Sequence, residues 1–324
     1  MAKIKVGVLR GGPSSEYDVS LQTGSNVLKS LPEKYQGVDI FVDKDGTWHI
    51  DGLSHDPTDT LKKVDVIFNA MHGEYGEDGK VQQILDIHNV PYTGSQTLPA
   101  ALAMNKARAK YIYNQHGLKT PHFLILKISP DENLEELALT VFRSFPMPLI
   151  IKPVGAGSSV GVSLVKSFDD LYNGLAKAAD KFSDLLIEEY ISGKEATVGV
   201  IDNFRRKDSY SLPVIEIRPP QDKSFFDLEA KYSGKSEEIC PGNFSYDEKN
   251  ELERQAILAH QSLGLRHYSR SDFIVHPRRG IYILETNTLP GLTSESLFPK
   301  ALRTVGSDLP EFLEHVIGLA MNRK

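Results

Sequence analysis

Residues 268–297 read YSRSDFIVHPRRGIYILETNTLPGLTSESL, and the fold turns on how this stretch divides. A short run, SDFIV, is followed by a Pro-Arg-Arg-Gly turn and then by a second run, IYILETN. Two runs bounded by Pro and Gly predict a β-hairpin with a loop of a few residues. Side chains alternate across a strand, so Glu285 and Asn287 face one way. If Asp272 on the partner strand shares that face, three oxygen-bearing side chains converge. Hard cations such as Mg²⁺ take oxygen ligands, one or two carboxylates being completed by phosphate oxygens of a nucleotide. Arg270, two residues before Asp272, falls on the same side, where it would hold a transferring phosphoryl group. The same pattern also fits a hairpin with a solvated polar face. The metal reading therefore requires a nucleotide platform elsewhere in the chain.

The chain has 324 residues, which predicts two or three domains. Hydrophobic residues make up 40% and charged residues 25%, as in a soluble globular protein with an ample core. A net charge of −6 argues against nucleic-acid binding, which calls for a basic face. The single cysteine, Cys240, excludes a disulfide framework and a Cys-based zinc site. Its setting, EEICPGN, predicts a half-buried thiol rather than a nucleophile. MAKIKVGVL enters a strand without a charged-then-apolar leader, and no apolar run reaches the roughly 18 residues of a membrane span. A cytoplasmic protein without membrane contact is expected.

Working back from the hairpin, IKVGVL (4–9) ends in Arg10-Gly11-Gly12, and a helix is expected to begin near Ser14 or Ser15. Strand, glycine turn and helix open an α/β unit, in which ligands bind beyond the carboxyl ends of strands. Glu16 stands there, where its carboxylate suits an ammonium or simply complements the helix dipole. A second strand, Val64–Ala70, runs into a glycine loop that holds His72, Glu74, Glu77 and Asp78 and should line the same cleft. His72 reads as a metal ligand, a base or a polar residue that positions others; Glu77 could orient Glu16. A long helix is predicted over 99–116.

Beyond Pro121 come short strands of antiparallel character, HFLILKI, PLIIKP and VSLVKS. Lys152 ends one of them and leads into PVGAGSSVG, a Gly/Ser loop whose N–H groups could cradle phosphate or merely form a flexible hairpin tip. It lacks the Gly-Lys-Ser/Thr ending of a Walker loop. In DLLIEEYISGKEATVGV, backbone groups of Glu189 and Ile191 could meet an adenine edge and Glu195 a ribose, or the segment is only a connection between two strands. Residues 216–243, with Lys231 and Tyr232 near their middle, predict a long polar loop of the kind that forms lids. An amphipathic helix is predicted over 246–263.

Seven pieces in order, GGPSSEYDVSL, HGEYGEDG, the Lys152–Gly161 loop, EEYISGKE, DLEAKYSG, YSRSDF and LETNTLPGLTSESL, resemble the D-alanine–D-alanine ligases of the ATP-grasp superfamily. They extend from the first strand to about residue 300. The resemblance implies an α/β chain (α+β overall): an N-terminal open α/β domain (1–105) followed by a two-lobed ATP-grasp domain, with a central lobe (106–190) and a C-terminal lobe (191–324). It implies ATP-dependent joining of two D-alanines through an acyl phosphate, for peptidoglycan synthesis, in a homodimer. Lys106 and Lys152 would hold ATP phosphates, with Lys231 among the nucleotide-binding residues. Glu188, Glu189 and Ile191 would meet the adenine and Glu195 the ribose. Asp272, Glu285 and Asn287 would bind two Mg²⁺ ions, for which Mn²⁺ could substitute. Glu16 would receive the first D-alanine beside His72, and Arg270 and Gly291 would face the oxyanion. Ser296 and Leu297 would contact the second D-alanine, while Ser158 and Tyr232 would link the loops on closure. Tyr17, Gln83 and Asn105 depart from the usual family pattern. Tyr232 favours the dipeptide, since relatives that make the D-lactate ester lack a tyrosine there. Two alternatives are a related ligase joining D-alanine to another small amino or hydroxy acid, and a non-catalytic ATP-binding module.

Overall fold

A computed structural model describes residues 3–129, 131–157, 161–219 and 236–322. Among these residues three sheets follow one another along the chain. The first contains β1 (Ile4–Gly11), β2 (Tyr35–Val42), β3 (Trp48–Ile50), β4 (Leu53–His55) and β5 (Val66–Asn69), in the order β4-β3-β2-β1-β5. β1 is parallel to both β2 and β5, and α1 (Tyr17–Ser30) makes the crossover that a parallel pair needs. The turn into α1 requires glycine at Gly11: its φ is +89°, and a Cβ there would sit 2.2 Å from the Val42 carbonyl oxygen. The helix begins at Tyr17, slightly later than the sequence suggests, and Glu16 takes the N-cap position. α2 (Pro57–Leu61) and α3 (Lys80–Ile87) complete the covering of this sheet.

The single helix expected over 99–116 is two, α4 (Thr97–Met104) and α5 (Lys106–Gln115). Asn105 breaks it with φ −83° and ψ 97°, and its side chain accepts from the Arg108 N–H at 3.0 Å as the cap of α5. Asparagine competes for backbone donors in this way and so favours caps over helix interiors. The break makes Lys106 the first residue of α5, where its N–H donates to the Val154 carbonyl at 3.0 Å.

The second sheet, β6 (Phe123–Lys127), β7 (Leu149–Pro153), β8 (Ser163–Val165) and β9 (Asp184–Glu189), is antiparallel in the order β6-β9-β7-β8. α6 (Leu134–Ser144) and α7 (Phe168–Ala179) pack on it around Leu171, Leu175 and Ile151, and a Ser167–Asp170 capping box starts α7.

The third sheet takes β10 (Lys194–Asp202), β11 (Ser209–Ser211), β12 (Ile215–Arg218), β13 (Glu237–Ile239), β14 (Tyr268–His276) and β15 (Gly280–Asn287). Its order is β13-β12-β10-β14-β15, with β11 also paired to β10. α8 (Tyr246–Ser262) and α5 pack on its back through Leu252, Ala256, Ala109 and Tyr113. α9 (Leu297–Thr304) and α10 (Leu309–Met321) follow. Phe298, Phe312 and Tyr268 meet with ring centroids 5.1–5.8 Å apart, and α10 also packs on α1 and β5. The last helix thus ties the third sheet to the first.

DLLIEEYISGKEATVGV holds two strands joined by residues 190–193, as expected, and this connection crosses between sheets, since β9 and β10 belong to different ones. One expectation is corrected here. The stretch 216–243 is not loop throughout: its ends form β12 and β13, which pair with each other. Ser158, Lys231 and Tyr232 lie outside the described residues. No described helix is long and apolar enough to cross a membrane.

Candidate active site

Across β14 and β15, Arg270 is paired with Asn287 and Asp272 with Glu285. A β-bulge makes this possible, since Phe273 pairs with Ile283 and leaves Leu284 as the extra residue. On unbroken alternation Glu285 would share a side with Ile281 and Ile283, which are buried against α8. The bulge instead sets Leu284 and Glu285 in succession on the other side, and both line a cleft of about 360 Å³ between the second and third sheets. Arg270 Nε and Nη2 donate to the two oxygens of Asp272 at 2.9 and 2.7 Å, and Thr197 Oγ1 donates to Oδ1 at 2.5 Å. Burial opposes the charge of Arg270, but Asp272, Glu285 and Glu77 outweigh it and raise its pKa above the usual guanidinium value. Behind the hairpin the Tyr113 hydroxyl donates to Thr286 Oγ1 at 2.8 Å, and Thr286 meets Ser271 at 2.9 Å. These bonds satisfy hydroxyls buried at the strand's back.

Among the described residues Lys106, Lys152 and Lys194 line the cleft, and Lys110 lies buried behind it. Lys106 Nζ donates to the Ala156 carbonyl at 2.6 Å and lies 3.5 Å from Glu285 Oε2, so it joins the glycine loop to the hairpin. Lys152, at the end of β7, pairs with one oxygen of the buried Glu188, and Lys110 pairs with the other. Burial pushes the Lys110 ammonium down to about 8 in spite of Glu188. The Glu188 carboxylate stays ionised against the cost of its burial because a cation sits on each oxygen. Ile191 packs with Ile274, Tyr282 and Leu284 into an apolar wall, and Glu195 lines the cleft beside it. Glu189 pairs with Arg279, and its N–H is held by the His122 carbonyl at 2.9 Å.

The first sheet supplies the facing surface. A Cβ on Gly157 would lie 2.4 Å from Glu16 Oε2, and one on Gly73 would lie 2.8 Å from it, so glycine at both positions admits the carboxylate between the two loops. Glu77 is buried and accepts from the Gly73 N–H at 3.0 Å, Thr288 Oγ1 at 2.8 Å and the Leu289 N–H at 3.0 Å. It thus fastens the glycine loop to the exit of β15. Burial first, and then Glu16, push its carboxyl up to about 7. His72 is buried with Nε2 2.8 Å from Thr23 Oγ1 on α1. Gly291 backs onto Ser296, to whose Oγ a Gly291 Cβ would come within 2.9 Å; Ser296 Oγ accepts from the Thr293 N–H at 3.1 Å. Leu297 reaches the cleft. Two carboxylates and an amide on one face suit a hard cation, which would take its remaining ligands from a bound polyphosphate. Cys240 is half-buried, and burial raises its thiol pKa.

Residues 5–59 and 51–95 match the family model for the D-ala D-ala ligase N-terminus, and residues 112–318 match that for its C-terminus. This chain belongs to the D-alanine–D-alanine ligase family. It is 38% identical over 322 residues to the D-alanine–D-alanine ligase of Pelotomaculum thermopropionicum, covering 98% of this chain and 97% of that one. The ligase of Geobacter sulfurreducens is 38% identical over 317 residues, with coverage of 97% and 93%. Among solved structures, the Bacillus anthracis ligase complexed with ATP superposes with a TM-score of 0.79 at 30% identity, covering 98% of this chain and 97% of that one. The VanG D-Ala:D-Ser ligase from Enterococcus faecalis gives 0.85 at 28% identity, covering 98% and 100%.

Within this member of the D-alanine–D-alanine ligase family, the fold brings Glu16, Arg270, Asp272, Glu285, Asn287, Lys106 and Lys152 to one region. Sequence reasoning passed over Lys110 and Thr197. Lys110 carried a signal, since it stands one helical turn after Lys106 on the same face. Thr197 carried none, because only the pairing of β10 with β14 sets it beside Asp272.

Proposed function

We infer that this ATP-dependent ligase joins two D-alanines into D-alanyl-D-alanine for peptidoglycan synthesis. The observation that supports this most directly is the bulged hairpin, which turns two carboxylates and an arginine toward a cleft already lined by Lys106 and Lys152, with the Asn287 amide in the adjoining hollow beside Glu285 and Lys106. In this reading residues 1–105 receive the first amino acid, and the lobes 106–190 and 191–324 hold the nucleotide between their sheets. The adenine lies against Ile191 with Glu188 and Glu189 at its edge, Glu195 meets the ribose, and Lys106, Lys152 and Lys231 hold the phosphates. Mg²⁺ on Asp272, Glu285 and Asn287 would neutralise charge on the phosphates during transfer.

Glu16, steadied by His72, receives the ammonium of the first D-alanine. A carboxylate oxygen of that D-alanine forms a bond to the γ-phosphorus as the bond to the β,γ-bridging oxygen breaks, and ADP takes the electron pair as leaving group. The neutral amine of the second D-alanine, oriented by Ser296 and Leu297, then attacks the carbonyl carbon. A C–N bond forms, phosphate departs with the electron pair of the acyl C–O bond, and the proton lost by the amine passes to that phosphate. Arg270 and the Gly291 N–H face the developing oxyanion. Closure through Ser158 and Tyr232 would keep water from the acyl phosphate.

The test is phosphate release from ATP across D- and L-amino acids and D-lactate, with the product identified by mass spectrometry. D-alanine should be the best substrate and the dipeptide the product; no release with D-alanine overturns the reading. A cytoplasmic homodimer belongs to the same reading, and sedimentation as a 36.0 kDa monomer would reject it.

A further inference from the structure

Gly94 and His267 meet where the first sheet abuts the start of β14. The Gly94 N–H donates to His267 Nδ1 at 3.1 Å, and Arg266 Nε donates to the Gly94 carbonyl at 2.8 Å. Consecutive residues of the loop that leads into β14 thus hold both polar ends of one residue beyond the first sheet. A backbone N–H can only donate, so Nδ1 carries a lone pair and the neutral ring bears its proton on Nε2. Burial, followed by Arg266, pushes the imidazole down to about 3 in spite of Asp202, with His260 and His315 acting in the same downward sense. The acceptor is therefore in place at neutral pH.

His267 has φ +68°, a left-handed conformation that a residue with a Cβ keeps only where its surroundings impose it. Asp202 imposes it from both sides: its Oδ2 accepts from the His267 N–H at 2.6 Å, and its own N–H donates to the His267 carbonyl at 2.9 Å. On the far side of the contact, a Cβ on Gly94 would lie 2.8 Å from Leu289 Cδ2. Leu289 stands two residues before Gly291 and donates its N–H to Glu77.

We propose that His267 is a positioning residue for the amino-acid subsites, its Nδ1 holding Gly94 against Leu289 and thereby setting the 288–291 turn against the loops that carry Glu16 and Glu77. The inference rests on the ligase reading above, so wild-type turnover of D-alanine is measured first and tests that reading separately. Two variants then divide the contact. His267→Gly removes the acceptor and relaxes the backbone. His267→Asn keeps an acceptor, since Oδ1 lies about where Nδ1 does and asparagine tolerates a left-handed φ.

His267→Gly should raise the KM for D-alanine about fivefold or more, while kcat and the KM for ATP stay within about twofold. His267→Asn should match the wild type in all three. In amide exchange, Gly94 should be protected in the wild type and His267→Asn and should lose protection in His267→Gly. Equal increases in both KM values, a lowered melting temperature with unchanged kinetics, or His267→Asn behaving as His267→Gly would each overturn the proposal. So would an unprotected Gly94 amide in the wild type, a result that does not depend on either variant folding.

Discussion

Lys110→Met probes the buried charges under the nucleotide cleft. The Lys110 side chain is fully buried; it pairs with Glu188 and donates to Thr120 Oγ1 at 2.5 Å. Stranding a buried charge by removing its partner costs about 3–5 kcal/mol. Glu188 keeps Lys152 on its other oxygen, so the cost falls below that range to about 1–2 kcal/mol, and the lost Thr120 bond brings it to about 2–3 kcal/mol. Methionine fills most of the lysine stem's volume, which keeps any cavity term small. A loss of that size lowers the melting temperature by roughly 5–10 °C. The three charges also fall from a net +1 to zero, so Lys152 is neutralised by Glu188 rather than left to face phosphate. A unit charge at about 8 Å and an effective dielectric of about 20 contributes roughly 2 kcal/mol. The KM for ATP should therefore rise about 10–30-fold with a smaller change in kcat. The assay is initial rates at varied ATP beside thermal melts. The double variant Lys110→Met, Glu188→Gln should be less stable than the single by about 1 kcal/mol or more, because the buried Lys152 then loses the carboxylate that matched it. A folded Lys110→Met protein with an unchanged KM for ATP refutes the electrostatic argument, and a double variant as stable as the single or more stable refutes the stranded-charge argument.

Glu285→Gln should lower kcat/KM by about a thousandfold or more. Its melting temperature should barely move, because the side chain is 33% exposed, and near-normal turnover at saturating Mg²⁺ would discount the metal assignment. Glu77 has its folded pKa raised from 4.5 to about 7, so its contribution to stability is complete below about pH 4.5 and is lost as pH rises through about 7. The wild type should thus lose about 2–3 kcal/mol between pH 5 and pH 8 relative to Glu77→Gln, as read from paired denaturant titrations; parallel curves would refute the buried-acid assignment. Asn105→Ala removes the cap of α5 and should cost about 1 kcal/mol in the same titrations, whereas an unchanged midpoint would show that the Arg108 N–H finds another acceptor.

The α/β opening was legible because each element there is local: an apolar run, a Gly-Gly turn with left-handed torsions, and a helix directly after it. The helix break at Asn105 was not read, although a capping residue stood in view. Helical periodicity runs on through the site, and only the competing hydrogen bond to Arg108 ends it. The separation of β9 from β10 was also hidden, since two adjacent apolar runs look alike whether they pair with each other or with strands far away.

The residue types of the site, their order and the identity of the hairpin were settled by the sequence alone, because strand alternation and the chemistry of carboxylate, amide and guanidinium are local properties. Which way the carboxylates face was not. By parity Glu285 belongs with Ile281 and Ile283, and only burial of those two isoleucines against α8, with the bulge at Leu284 that follows from it, turns Glu285 to the side of Asp272. Tertiary structure likewise decided the partners of Glu188 and the fastening of Glu77 to the β15 exit, since both depend on segments about 36 to 211 residues apart meeting in space.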